Sequence, residues 1–139
     1  MTVQLTPYLA FRSETREALD FYASVFGGEP TVTTYAEFGL GGDDEGGKVM
    51  HGQLVTPHGL VLMAADRPDA VPLEAENAIS LSLFGDADDA ERLTGWFAAL
   101  AEGGQVHEPL ARAPWGDSFG QVDDRWGTHW MVNIGGDAA

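Results

Sequence analysis

The stretch PWGDSFGQVDDRWGTHWMVN, residues 114–133, holds three of the chain's four tryptophans, one of its four histidines and three aspartates. Imidazole and carboxylate groups in that density suit a metal ion, and indoles beside polar groups suit a sugar. Asp117, Asp123 and Asp124 could supply a carboxylate pair for proton transfer, but such residues read more readily as turn formers that bond their own backbone. His51, within VMHGQL, is the best candidate for a general acid or base near neutral pH; the plainer reading is a hydrogen-bonded, partly buried strand histidine. His58 falls in the tight turn TPHG and is expected to be exposed, and His107 opens a strand with no acidic partner in view. His129 is read as a similar but weaker candidate at a sheet edge.

Other chemistries are thin. The chain has no cysteine, so disulfides, thiolate metal sites and cysteine nucleophiles are excluded. No Walker loop, Rossmann fingerprint or GxSxG elbow occurs. DDEGG lacks the spacing and final acid of an EF-hand loop.

The elements that must position these residues belong to a chain of 139 residues, enough for one domain with a real core. At 44% hydrophobic and 21% charged the composition is globular. With 22 acidic against 7 basic residues, a net charge of −15, the surface should repel nucleic acid and anionic membranes. It favours a neutral or cationic small molecule. The N-terminal MTVQLTPYLAF has no basic n-region and no apolar run reaches membrane-spanning length, so a cytoplasmic protein is expected.

Hydrophobic periodicity divides the chain into two halves, about 1–70 and 74–139, each reading βαβββ. In the first half VQLTPYLAF is a strand, and Ser13 is placed as N-cap of a helix bearing Ala18, Phe21, Tyr22, Val25 and Phe26. Gly27 and Gly28 end it, and strands are predicted at 30–38, 48–56 and 60–66. GLGGDDEGG, at 39–47, is expected to be an exposed, mobile loop. In the second half ENAISLSLF is a strand, and Asp86 or Asp88 caps a helix bearing Leu93, Trp96, Phe97 and Leu100. Gly103 and Gly104 end that helix, and strands follow near 105–112, 117–123 and 128–134. GQLVTPHGLVLM (52–63) and GQVDDRWGTHWM (120–131) align without a gap at an offset of 68, and Phe21, Gly27 and Gly28 recur as Phe97, Gly103 and Gly104 at 76. The first copy is plainly two strands and a turn, so the tryptophans of the second are read as hairpin residues.

PYLAF followed by EALDFYASVFGGE, then VMHGQL, LMAAD, AISLSL, WFAALAEGGQV, PWGDSFG and DRWGTHWMVN, resembles the PhnB-like proteins of the vicinal oxygen chelate superfamily of glyoxalases, extradiol dioxygenases and bleomycin-resistance proteins. The resemblance covers nearly the whole chain. It implies a single α+β domain of two βαβββ modules, with curved mixed sheets and helices on their outer faces, and a homodimer. Metal-dependent members draw four His or Glu ligands from the first and last strands of the two modules. Those positions fall here at Thr6, Met63, Ala78 and Met131, none a suitable ligand, and a slip of one residue offers only Pro7, Leu62, Asn77 and Trp130. No metal or other cofactor is therefore expected at the family site.

Strand alternation then sorts the side chains. Leu5, Leu9, Phe11, Leu54, Leu60, Leu62, Ile79, Leu81, Leu83, Val122, Trp130 and Val132 form an apolar set that should pack under the helices. The opposite set gives the candidate ligand-binding residues Tyr8, Gln53, Met63, Phe119, Gln121, His129 and Met131, with Trp115 at the mouth and His51 as candidate acid or base. The leading expectation is a small-molecule-binding protein, with turnover left open. The alternatives are a drug-resistance protein that sequesters a cationic antibiotic, and an enzyme holding metal through His51 and His129.

Overall fold

The computed structural model describes residues 4–73 and 79–136. The chain forms two compact units, Met1–Asn77 and Ala78–Ala139. The first carries β1 (Tyr8–Phe11), α1 (Thr15–Phe26), β2 (Glu29–Thr34), a one-turn helix α2 (Gly42–Glu45), β3 (Val49–Val55) and β4 (Val61–Asp66). The second carries β5 (Leu81–Gly85), α3 (Ala90–Ala101), β6 (Gln105–Arg112), β7 (Ser118–Asp123) and β8 (His129–Ile134). The sheets run β1-β4-β3-β2 and β5-β8-β7-β6. In both, the outer first strand is parallel to the last and the remaining pairs are antiparallel.

Each helix lies on its own sheet through residues three and four apart. Ala18, Leu19, Tyr22 and Phe26 are buried in α1, and Leu93, Phe97 and Leu100 in α3. Beneath them lie Leu54, Leu62 and Ala64 in one module and Val122, Trp130 and Val132 in the other, all buried. A large aliphatic or aromatic side chain so placed contributes about 1.5–3 kcal/mol. Close approach depends on one glycine in each sheet. A Cβ on Gly52 would come within 2.6 Å of Leu19 Cδ1, and one on Gly120 within 2.9 Å of Phe97 Cε2.

The hairpins that follow repeat atom by atom. Leu60 N–H donates to Thr56 Oγ1 (3.0 Å), and Thr128 N–H, its counterpart 68 residues on, donates to Asp124 Oδ1 (3.1 Å). Gly59 and Gly127 both take φ of 84°, a left-handed value that favours glycine. The helices begin and end 75 residues apart, so buried Phe97 corresponds to buried Tyr22 and not to half-buried Phe21. The extra residue, Glu102, sits between α3 and its glycines.

Several sequence expectations need correction. Ser13 does not cap α1: Asp66 Oδ1, at the end of β4, accepts from Thr15 N–H at 3.0 Å, and its other oxygen accepts from Val49 N–H at 2.9 Å. The second helix is reached through Asp86, one of the two caps expected, whose capping box with Asp89 closes the 3₁₀ turn Ala87–Asp89 just before α3. β2 stops at Thr34, where Glu37 turns back onto the Thr34 hydroxyl and the chain enters a 3₁₀ turn, Ala36–Phe38. The glycine-rich segment after it is exposed but built: α2 forms within it, and Glu45 and Asp69 both reach the Lys48 ammonium. Leu5 and Ile79 are exposed and lie outside the strands, whose pairing starts at Tyr8↔Met63 and Leu81↔Trp130. Among the described residues no helix is long and apolar enough to cross a membrane.

Candidate functional site

Alternation along the strands turns most of the polar chemistry to the face of each sheet away from its helix. In the first module Tyr8 pairs with Met63, Met63 with Gln53, and Gln53 with Thr31. His51 pairs with Thr33 on the same face, just before a bulge that spares its orientation. Tyr8 Oη stands 2.9 Å from His51 Nδ1, with the rings 5.6 Å apart. Burial raises the Tyr8 pKa above the ordinary phenol value, and Tyr35 adds to it. Either group can donate in this pair, the phenol to Nδ1 or Nδ1–H to the phenol oxygen, and in both cases Nε2 of His51 is the nitrogen left over.

The second module repeats the rung with different ends. Ser82 pairs with Met131, Met131 with Gln121, and Gln121 with Glu108. Phe119 pairs with Asn133, and its ring lies 6.1 Å from that of Trp115, which is 65% exposed in the turn before β7. His129 opens β8, an interior strand of the sheet and not an edge. Its Nδ1 lies 2.6 Å from Asp123 Oδ1 and its Nε2 lies 2.8 Å from Gln121 Oε1.

His107 does have an acidic partner, contrary to expectation: its Nε2 lies 2.8 Å from Asp123 Oδ2. Counting along the strand could not find this contact, because β6 shifts register between Val106 and Glu108 and His107 is the extra residue. Burial pushes the Asp123 carboxyl upward. The hydrogen bonds from both imidazoles and their positive charge outweigh that and leave it below the usual value of 3.8. Potential ligand atoms of His107, Asp123 and His129 all lie within 4.8 Å of one another.

The neighbouring aspartates are structural. Asp124 is buried and accepts from Trp126 N–H, Thr128 N–H and the Trp130 indole N–H. Asp117 accepts from the Gly136 N–H and the Asn133 amide, which lower its pKa in that order. Of the sequence candidates, Tyr8, His51, Gln53 and Met63 thus share one module's face, and Phe119, Gln121, His129 and Met131 the other's, with Trp115 beside Phe119. His51 and His129 are each engaged within their own module. His58 is exposed in its hairpin turn.

The positions carried over for the superfamily's metal do not fit one. Thr6 precedes β1, and the first-strand residue beside Met63 is Tyr8; beside Met131 it is Ser82. Ala78 and the slipped position Asn77 lie outside the described residues. Thioether, phenol and hydroxyl groups are a poor donor set for nickel, zinc, iron or manganese.

Two four-stranded mixed sheets, each with its helix on one face, define the glyoxalase-like two-module α+β fold. The glyoxylase/bleomycin resistance protein/dioxygenase domain from Frankia sp. EAN1pec shares it at a TM-score of 0.63, with 16% identity over 100% of this chain and 96% of that one. The chain belongs to the PhnB-like family described as 3-demethylubiquinone-9 3-methyltransferase, whose model matches residues 3–133. It is 39% identical to protein PA1353 from Pseudomonas aeruginosa, over 98% of this chain and 100% of that one, at a TM-score of 0.81. A PhnB protein from Bacillus cereus is 27% identical, over 95% and 99% of the two chains, at a TM-score of 0.73.

Proposed function

We propose that this protein binds a neutral or cationic small molecule on the sheet faces turned away from the helices, without the superfamily's metal. The observation that carries the reading is the repeated glutamine–methionine rung, Gln53–Met63 and Gln121–Met131. Each gives an amide that both donates and accepts, next to an apolar, adaptable thioether. Aromatic and imidazole groups stand beside each rung: Tyr8 and His51 in one module, Phe119, Trp115 and His129 in the other. Such apolar walls with few polar groups suit small-molecule recognition. The net charge of −15 favours a ligand that is not an anion.

His51 enters this reading through its Nε2. With Nδ1 engaged by Tyr8, the nitrogen left for a ligand is Nε2, which acts as acid or base according to the tautomer. The protein is further proposed to work as a homodimer, which light scattering would show as twice the 14.9 kDa chain mass.

Methyl-labelled methionine gives the direct test, because Met63 and Met131 report on the two rungs and Met50 serves as internal reference. A panel of neutral and cationic aromatic compounds is titrated in, and each ligand is recovered and weighed by mass spectrometry. Saturable shifts of the Met63 or Met131 methyl, with the ligand recovered unchanged, are expected. Saturable binding that moves neither methyl overturns the site. A ligand returned with altered mass makes the protein an enzyme. A cationic antibiotic as the tightest ligand identifies the sequestering function.

A further inference from the structure

We propose that His107, Asp123 and His129 form a binding site for one divalent transition-metal ion of the zinc kind, on the second module and away from the superfamily's ligand positions. The three residues come from adjacent strands, β6, β7 and β8, so the sheet itself holds their spacing. Two imidazoles and one carboxylate are the donor set that zinc, nickel or iron(II) takes with coordination positions left open. The side chains are 41%, 32% and 27% exposed for His107, Asp123 and His129, so a hydrated ion can reach them and keep water.

Hydrogen bonding gives the second argument. His129 Nε2–H donates to Gln121 Oε1, which leaves a lone pair on Nδ1 in the neutral ring. That lone pair points at a carboxylate oxygen only 2.6 Å away, and His107 Nε2 faces the other oxygen at 2.8 Å. His107 Nε2–H makes an ordinary hydrogen bond to its oxygen, whereas both nitrogens of His129 face oxygens, so its Nδ1 either carries a second proton or gives its lone pair to a metal that takes the proton's place. With Gln121 turned to offer its NH₂ instead, the neutral His129 donates Nδ1–H to Asp123, and this is the metal-free arrangement. Gln121 in its present orientation is what a metal-bound imidazole requires, an acceptor for its second N–H. The bulge at His107 supports the same reading, since an extra strand residue re-aims a side chain at the cost of local pairing. This proposal does not rest on the small-molecule reading: failure of the organic panel leaves it standing.

The test uses the tag-free full chain, stripped with chelator and dialysed against Zn²⁺ at neutral pH. One Zn²⁺ per chain is expected, with ¹⁵N shifts at Nε2 of His107 and Nδ1 of His129. His107→Asn and His129→Asn should each remove saturable uptake while circular dichroism shows an intact fold, and His58→Asn should retain it. Gln121→Leu, acting through His129, should weaken binding about tenfold, and Gln121→Glu, which keeps an acceptor, should restore it. No saturable uptake by the folded chain overturns the proposal. So does uptake that persists in the double histidine variant, or Zn²⁺-dependent shifts confined to other histidines of the unaltered protein.

Discussion

The two modules share a backbone but not a method of holding their helices or a polar face. In the first, the helix N-terminus is tied down by Asp66, 51 residues later in the chain, which also takes Val49 N–H. At the matching position of the second, 68 residues on, stands Ile134, buried and unable to accept. There the helix is entered through a local capping box, Asp86 with Asp89. The faces away from the helices diverge in the same way. Both keep a glutamine–methionine rung, yet one surrounds it with a phenol–imidazole pair and the other with two imidazoles sharing a carboxylate. What the repeat preserves is what the sheet needs: glycine under the helix, the hairpin turn and inward apolar residues. Side chains free of those duties have been free to acquire different chemistry.

The sharpest test of this equivalence compares Trp130 with Leu62, both buried under their helices. Trp130→Ala should cost about 3–5 kcal/mol, because it opens a large cavity, and it also removes the indole N–H that donates to Asp124. Leu62→Ala should cost about 2–3 kcal/mol. Denaturant unfolding followed by circular dichroism measures both. A harmless Trp130→Ala would mean that β8 is out of register by one and that the face assignments of the second module are reversed.

Smaller effects separate the two caps. Asp66→Ala leaves two backbone N–H groups without their acceptor, Thr15 and Val49 both being buried, and should cost about 2–3 kcal/mol. Asp86→Ala removes an exposed cap and should cost about 1 kcal/mol. Equal losses would show that distant and local capping do the same job here. The smallest effect is expected at Trp115, whose exposed ring leaves no cavity when removed. Trp115→Ala should change stability by less than about 0.5 kcal/mol while weakening a ligand held against Phe119. Unfolding of that variant would make Trp115 a core residue and take it out of the binding face.

The residues read from sequence fall on the expected faces wherever a strand is regular. Leu54, Leu62, Val122 and Trp130 lie under helices, and Gln53, Met63, Gln121 and Met131 lie opposite, because side chains alternate strictly along a paired strand. One secure repeat then fixes both halves, and the 68-residue offset holds through the hairpin turn. The sequence by itself therefore determined the two modules, their helices and the facing of their central strands, since each depends on a period of two or of about 3.6 residues. Only the tertiary structure decided the rest. The starts of β1 and β5 lie where pairing with β4 and β8 begins. The cap on α1 comes from a distant strand end. The His107–Asp123–His129 cluster depends on a bulge that breaks the count along β6. Such features arise where segments far apart in the chain, or one residue out of step, are brought within a hydrogen-bond length, and no local period carries that information.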